Sequence, residues 1–295
     1  MTGRPKGLPV VLHKRSENSK IYVHMSSFYN FLRYDIGFYT IAAAVGLIVA
    51  FIVYFKLARR RDLPVSQIVY TYLYAILGVF LGGHLMFFIV GLPGWIEHYR
   101  GSILTVGDFI SAFGQGASGM VFYGGLLGAL LMIFIFCRTH GFMLRPELNN
   151  AVVVFPLFHF FGRVGCTLTG CCYGIEYHGL FNIHYTPDYI NPGLSDDIAD
   201  FSRFPVQPLE ALIELAVFVA LLIIYLKTEN RYSITCIYLT AYSIVRFLDE
   251  FLRGDNVRGL WGPLSTSQWI SLAILIVTVI YLIVKKTKNQ PVYTG

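Results

Sequence analysis

The sequence predicts an all-α polytopic membrane protein, with about seven transmembrane helices around a central polar cavity. Three observations predict this fold class: 55% of the 295 residues are hydrophobic, only 14% are charged, and the apolar residues fall in long runs. A typical soluble domain carries about a quarter charged residues. The composition therefore excludes a disordered chain, and it disfavours a soluble domain because so few polar groups would not cover the surface.

Seven segments are predicted to span the membrane, because a helix needs about 20 mostly apolar residues to cross the hydrocarbon. Five are apolar with little interruption, whereas the fourth and the sixth contain polar residues. In chain order they are 36–56, 67–91, 119–137, 149–170, 210–226, 233–252 and 268–284. Most connections are short, so we expect one membrane domain over 36–285, between a basic tail, 1–35, and a short cytoplasmic tail, 286–295.

The lysines and arginines of the short loops predict the orientation, because basic loops stay in the cytoplasm. Eleven basic residues follow the first, third, fifth and seventh spans, and four lie in the opposite loops. We therefore expect the N-terminus outside and the C-terminus inside, although the tail 1–35 carries six further basic residues. Most of the net charge of +6 thus follows membrane topology, and nucleic-acid binding has no support. No small-residue cleavage site follows a short apolar core in the first span, so we interpret that span as a retained anchor.

Two arginines lie within predicted spans, Arg163 in the fourth and Arg246 in the sixth. A guanidinium group keeps its charge, so each needs an anion or a polar cavity. Tyr242, Arg246, Glu250 and Arg253 share one helix face, and Arg246 and Glu250 have the spacing of an ion pair. This pair could simply hold the bundle together, or the arginines could bind an anion, of which a lipid phosphate is the obvious one in a membrane. Arg163 has no carboxylate within a turn of its own helix, which favours a ligand.

Four further ionisable residues lie in apolar surroundings. Glu210 and Glu214 repel each other at their spacing, so at least one should have a partner elsewhere, at the interface or in a site. His84 and His159 are each isolated in apolar helix. Such a histidine is more simply a hydrogen-bonded core residue than a catalyst.

Five cysteines occur, and three of them, Cys166, Cys171 and Cys172, follow one another near the outer end of the fourth span. Three interpretations are open for this group: structural residues, a disulfide or redox pair, and a soft-metal site. The spacing matches no zinc pattern such as paired CxxC. Cys137 and Cys236 are interpreted as small buried hydrophobic residues.

Glycines cluster beside these polar residues, and two sets have GxxxG spacing, Gly124 with Gly128 and Gly170 with Gly174. Small residues let membrane helices approach closely. Beside two arginines in the membrane, the glycines indicate a tightly packed polar cavity.

Four sequence blocks resemble the prolipoprotein diacylglyceryl transferases, a family of bacterial inner-membrane enzymes, over about residues 36–285. The family signature G-R-x-G-N-F-x-N-G-E-x-x-G corresponds to Gly162–Gly174, and its glycines and arginine are kept in register. A second block, S-G-M-x-F-H-G-G-L-x-G, corresponds to Ser118–Gly128. The remaining correspondences are Pro205, Gln207 and Glu210; Tyr242, Arg246, Phe247, Glu250 and Arg253; and Gln268 with Trp269.

The resemblance implies a transferase that moves diacylglyceryl from phosphatidylglycerol, a membrane lipid, to the cysteine thiol of a prolipoprotein lipobox peptide. It implies no metal or cofactor. Arg163 and Arg246 would hold the phosphate and stabilise the charge that develops on it, and Tyr242 would orient the head group. The implied catalytic residues are Tyr123, Arg246 and Tyr242. The implied substrate-binding residues are Arg163, Arg246, Gly124, Gly125, Gly174, Glu250, Arg253 and Gln207.

The chain departs from the family pattern around the acceptor. The family histidine is Tyr123 here, and tyrosine, with a pKa near 10, is a poor base. The two asparagines of the signature are Cys166 and Thr169, its glutamate is Cys171, and a family arginine corresponds to His84. Two alternatives therefore stand beside the transferase: a phospholipid-binding homologue without catalysis, and a transferase with a different acceptor. A thiol-redox or metal-handling membrane protein is a third class, and it depends on the three cysteines.

Overall fold

The computed structural model describes residues 37–98, 105, 107, 120–185, 202–227, 233–255 and 260–287. Within these residues it contains seven α-helices. They are α1 (Phe38–Arg59), α2 (Val65–His98), α3 (Phe122–His140), α4 (Leu144–Thr169), α5 (Val206–Lys227), α6 (Ser233–Asp249) and α7 (Thr266–Thr287). The prediction of an all-α polytopic membrane protein is confirmed.

Six of the described helices are long and apolar enough to cross a bilayer: α1, α2, α3, α4, α5 and α7. The sixth predicted span, 233–252, also forms a helix, but α6 has only 17 residues. It continues as a single 3₁₀ turn, Glu250–Leu252. Most helices extend beyond the apolar segments from which they were predicted. A helix forms its own backbone hydrogen bonds, so it can continue into the polar interface of the membrane.

Two short antiparallel ladders lie beside the helices. One pairs β1 (Ile183–His184) with β2 (Ser202–Arg203), and the other pairs β3 (Leu260–Trp261) with β4 (Leu264–Ser265). The segment that follows α4 makes backbone hydrogen bonds to two other segments. Ile175 N donates to Leu252 O, and Phe204 N donates to Ile175 O, each at 2.9 Å. This segment therefore joins the end of α4, the start of α5 and the end of α6.

The helices pack in pairs, α2 with α3, α1 with α4, α4 with α5, and α6 with α7. Four glycines bring α2 and α3 together: a methyl group on Gly82 would collide with the Gly124 carbonyl, and one on Gly78 would collide with the Gly128 carbonyl. The glycine cluster of the sequence thus serves close helix packing. Large apolar side chains such as Leu81, Leu85 and Ile280 are left exposed, as is expected of surfaces that face lipid.

The central polar cavity stays a prediction. An apolar crevice lies between α1, α2, α3 and α4, where Ala50, Ile76 and Val154 contribute to its wall, and neither Arg163 nor Arg246 lines it. The predicted tail 1–35 lies outside the described residues, as does the C-terminal tail after residue 287.

Candidate functional site in the helix bundle

Arg163 is 7% exposed and lies in the last two turns of α4, where it faces α5. Its Nη2 lies 2.6 Å from Glu210 Oε1, and its Nε donates to His159 Nε2 at 3.3 Å. The carboxylate that the sequence did not supply on α4 is therefore supplied by the neighbouring helix. Glu210 has the partner elsewhere that its repulsion with Glu214 predicted.

His159 joins Arg163 to Glu214. The imidazole stacks on Phe122 with ring centroids 4.1 Å apart, and its Nδ1 lies 3.2 Å from Glu214 Oε1 at an angle unsuited to a hydrogen bond. Its Nε2 is the acceptor of a hydrogen bond from Arg163. His159 therefore belongs to the site. His84 lies on α2, where its ring stacks on Phe80.

Arg246 is 8% exposed and projects from α6. Its Nη2 lies 2.7 Å from Glu250 Oε2, and its Nη1 donates to Asp249 Oδ2 at 3.0 Å. Ser267, at the start of α7, accepts a hydrogen bond from Arg246 at 3.3 Å and donates one to Glu250 at 2.9 Å. The predicted pair of Arg246 and Glu250 is present, and Asp249 and Ser267 extend it.

Two tyrosines, Tyr242 and Tyr123, pack close to these ion pairs. Tyr242 is 2% exposed, and the described residues supply no hydrogen-bond partner for its hydroxyl. Its ring meets those of His159 and Tyr123 edge-on, at 5.6 and 5.9 Å. The Tyr123 hydroxyl lies 2.6 Å from Ser271 Oγ, and Ser271 itself donates to Ser267 O. Tyr123 is therefore the donor in its hydrogen bond to Ser271.

The two arginines form one electrostatic cluster, because the charge of Glu210 acts on both of them. Four carboxyl groups belong to this cluster, those of Glu210, Glu214, Asp249 and Glu250, and a hydrogen bond joins the side chains of Glu210 and Asp249. Both carboxylate oxygens of Glu214 have no hydrogen-bond donor among the described residues. Ion pairs with the other three carboxyl groups hold the two guanidinium groups in place.

Gly174 lies in the segment that follows α4, and Arg253 lies in the segment that follows α6. Backbone hydrogen bonds join these two segments at the end of the bundle. Gly174 and Arg253 form an isolated β-bridge, and Arg253 Nε donates to Asp255 Oδ1 at 2.8 Å. Burial lowers the pKa of Arg253, but the Cys172 thiolate and the hydrogen bond to Asp255 outweigh it and raise that pKa above its ordinary value. A methyl group on Gly174 would collide with the Phe204 carbonyl, so glycine is needed for this close approach.

Gln207, in the first turn of α5, holds the loop that follows α4. Its Nε2 donates to the Cys171 carbonyl at 2.8 Å and to the Tyr185 hydroxyl at 2.9 Å. Gly124 faces α2 and not the arginines, and Gly125 makes ordinary contact with Val79 of α2. The structure thus gives these two glycines a packing role, and substrate binding by them stays a prediction.

Three thiols lie together, one in the last turn of α4 and two in this loop. Cys166, Cys171 and Cys172 are free cysteines, and their sulfur atoms all lie within 4.8 Å of one another. Hydrogen bonds from Cys166 and Cys171 hold the pKa of the Cys172 thiol well below its ordinary value, and Arg253 and Arg163 act in the same direction. Cys166 follows Arg163 by one helical turn, so the thiols adjoin the arginine cluster.

Sequence reasoning missed Asp249, Ser267 and Ser271. Asp249 has the i, i+3 spacing to Arg246 that would have signalled a pair. The two serines carried no signal, because only the packing of α6 on α7 decides that their face of α7 meets the arginine and Tyr123.

Comparison with known proteins shows the family to which the chain belongs. Residues 27–284 match the family described as prolipoprotein diacylglyceryl transferase. A phosphatidylglycerol–prolipoprotein diacylglyceryl transferase of Clostridium tetani is 27% identical, over 84% of this chain and 92% of its own length. The second transferase of that name in Clostridium perfringens is 30% identical, over 87% of this chain and 93% of its own length.

Proposed function

Because the chain belongs to the prolipoprotein diacylglyceryl transferase family, we propose that it moves the diacylglyceryl group of phosphatidylglycerol to the cysteine thiol of a prolipoprotein. Family membership makes it a membrane transferase of lipoprotein biogenesis. The names of the relatives give phosphatidylglycerol and a prolipoprotein as substrates, and we propose both for this chain, with a lipobox peptide as the segment of the prolipoprotein that is modified.

The reaction is a displacement at carbon. The thiolate sulfur of the acceptor attacks the glycerol carbon that carries the phosphate, the carbon–oxygen bond breaks, and its electron pair leaves with glycerol phosphate. Catalysis requires stabilisation of the negative charge on the departing phosphate. Guanidinium groups suit this task, because their planar donors match phosphate oxygens two at a time.

One observation carries the proposal: two arginines from the different helices α4 and α6, each less than a tenth exposed, share one buried cluster through Glu210. Tyr242, whose ring contacts those of His159 and Tyr123, adds a buried hydroxyl that has no partner among the described residues. A phosphate that enters the cluster would take donors from Arg163 and Arg246 and from Tyr242. It would compete with the carboxylates for the guanidinium donors.

Genetic complementation tests the proposal. A bacterium depleted of its own diacylglyceryl transferase should grow when this chain is expressed, and Arg163→Ala should abolish the rescue. Arg138→Ala is the matched control, because Arg138 lies at the exposed end of α3, against Phe134. Equal membrane levels of the three proteins must be shown. Rescue by Arg163→Ala would contradict the proposed role of the arginine.

Tyr123 favours a second candidate, a homologue that binds phospholipid without transferring it or that uses another acceptor. The residue at the position of the family histidine is a hydrogen-bond donor to Ser271 and not a base. Incubation of the purified protein with labelled phosphatidylglycerol and a lipobox peptide separates the candidates. Release of glycerol phosphate together with a lipid-modified peptide supports the transferase, whereas lipid binding without release supports the non-catalytic homologue.

We also propose that the chain lies in the bacterial cytoplasmic membrane with its N-terminus outside and its C-terminus in the cytoplasm. The relatives are bacterial. The basic residues of the short loops predict that the N-terminus lies outside and the C-terminus inside. A green fluorescent protein fused after Gly295 should fluoresce, and alkaline phosphatase fused at the same point should be inactive. The reverse pair of results would invert the orientation.

A further inference from the structure

The three-thiol cluster of Cys166, Cys171 and Cys172 lies outside the group of arginines and tyrosine that would bind the lipid phosphate. The spacing of these cysteines matches no paired zinc motif, yet the fold brings all three sulfur atoms within 4.8 Å of one another. The cluster adjoins the arginines at which the lipid phosphate would bind. It therefore lies next to the site that we propose for the lipid phosphate.

The sulfur positions fit a tetrahedral metal ion. Zinc binds thiolate sulfur at about 2.3 Å, which sets the sulfur atoms of one tetrahedron about 3.8 Å apart. The three thiols need to close by only about 1 Å to reach that geometry. Three protein ligands leave the fourth coordination position open, which is the arrangement of catalytic zinc sites and not of structural ones.

The loop that carries two of these thiols is held in an unusual conformation. Helix α4 is capped by Gly170, whose φ is +74°, and Cys172 has a φ of +58° although it is not glycine. The left-handed region is disfavoured for a residue with a side chain, and such residues cluster at functional sites. Hydrogen bonds from Gln207 Nε2 to the Cys171 carbonyl and from Gly254 N to the Tyr173 carbonyl hold the loop in this form.

The surrounding charges suit thiolate ligands. Arg163 lies one turn from Cys166 on α4, and the charges of Arg253 and Arg163 both act on Cys172. Zinc with three thiolates carries a net charge of −1, and with a fourth thiolate −2. Two neighbouring guanidinium groups would compensate that charge in a setting where an isolated anion is costly.

We propose that Cys166, Cys171 and Cys172 bind a zinc ion, and that the acceptor cysteine binds at its open position as a thiolate. This inference rests on the proposed function. The acceptor thiol loses its proton to water when its sulfur binds zinc. That sulfur then attacks the glycerol carbon, the carbon–oxygen bond breaks, and the electron pair leaves on glycerol phosphate. The thioether formed is a weak zinc ligand and dissociates as product.

Zinc would supply a way to deprotonate the acceptor that neither Tyr123 nor His159 offers. Tyr123 donates its proton to Ser271, and His159 Nε2 is occupied by the hydrogen bond from Arg163. A metal ion deprotonates a thiol that coordinates it, so no general base is needed. Its position next to Arg163 would hold the nucleophile near the bound phosphate.

Metal analysis of the full-length protein in detergent tests the site. After growth with zinc sulfate, we expect about one zinc per chain in the wild-type protein and in Cys236→Ser. Cys172→Ser and the triple serine variant should each retain roughly tenfold less. Chelation followed by zinc addition tests the wild-type chain without any substitution, and it should remove and then restore the metal. Absence of zinc from the wild-type protein, or a disulfide between two of the three cysteines after anaerobic purification, would overturn the proposal.

Cobalt substitution tests the open position. A lipobox peptide with cysteine should change the thiolate-to-cobalt absorption bands, and the same peptide with serine should not. Unchanged bands with both peptides would overturn the binding of the acceptor by the metal. Unchanged transfer activity after complete zinc removal would overturn its role in the reaction while leaving the proposed function intact. Zinc binding and the band change without any transfer would contradict the proposed function and leave the metal site standing.

Discussion

Among single residues, Arg163 and Arg246 are both buried cations that require a negative partner, and different parts of the fold supply it. Arg163 pairs with Glu210 of the neighbouring helix, whereas Arg246 pairs with Asp249 on its own helix and with Glu250 in the turn that follows. Removal of one partner from a buried ion pair costs about 3–5 kcal/mol, because the other charge is left behind. Loss of activity after an arginine substitution therefore has to be measured per folded molecule.

Tyr123 gives a prediction at this scale. Tyr123→Phe removes a hydrogen bond to Ser271, which still donates to the Ser267 carbonyl. We expect a loss of about 1 kcal/mol in the free energy of unfolding, because one buried hydrogen bond is lost. Transfer activity should fall less than roughly tenfold, because a hydrogen-bond donor and not a base is removed.

Ser271→Ala is the matched variant, since it breaks the same bond from the other side. Both variants are measured by thermal unfolding in detergent and by transfer to a lipobox peptide. Loss of all activity in Tyr123→Phe but not in Ser271→Ala would show that the phenol acts on the substrate directly.

At the scale of elements, glycines decide how closely α2 and α3 approach. Gly82 and Gly124 face each other so closely that neither has room for a methyl group. Gly125 lies one residue further and makes only ordinary contact with Val79. The helix pair is therefore specified by backbone contact on one face, as is usual where lipid offers no hydrophobic driving force.

Gly124→Ala tests this packing, with Gly125→Ala as its control. We expect Gly124→Ala to lower the free energy of unfolding by about 1–3 kcal/mol, because the added methyl group pushes the two backbones apart. Gly125→Ala should change it by less than about 0.5 kcal/mol, since its contact distances are ordinary. Thermal unfolding of both variants in the same detergent measures the difference, and equal shifts would show that the close approach is unimportant.

At the scale of the whole molecule, α4 connects two buried polar clusters. The first contains Arg163 near its end. The second contains Glu147 near its start, where Tyr54 of α1 and Gln67 of α2 each donate to the carboxylate at 2.7 Å. Arg163 follows Glu147 by sixteen positions, which correspond to about 24 Å along a helix. The Glu147 cluster ties three helices together far from the thiols.

Glu147→Ala should therefore separate stability from activity. It leaves two buried donors without an acceptor, each at a cost of about 1–3 kcal/mol. We expect a clearly lower unfolding temperature and an unchanged transfer rate per folded molecule at low temperature. Measurement of the folded fraction by size-exclusion chromatography, alongside the transfer assay, checks this. A loss of rate in the folded fraction would mean that the two ends of α4 are coupled.

The membrane class, the helices and the two arginines could be predicted from the sequence, because these depend on local runs of apolar residues and on single charges within them. The pair of Arg246 and Glu250 could also be predicted, because the two residues share one helix face. The packing of the helices was needed to show that Glu210 is the partner of Arg163, that His159 joins the site, that Ser267 and Ser271 face it, and that three thiols with no recognisable spacing meet. Each of these depends on how two or more elements pack or turn, and the pairing of helices is fixed by shape and backbone contact between segments far apart in the chain.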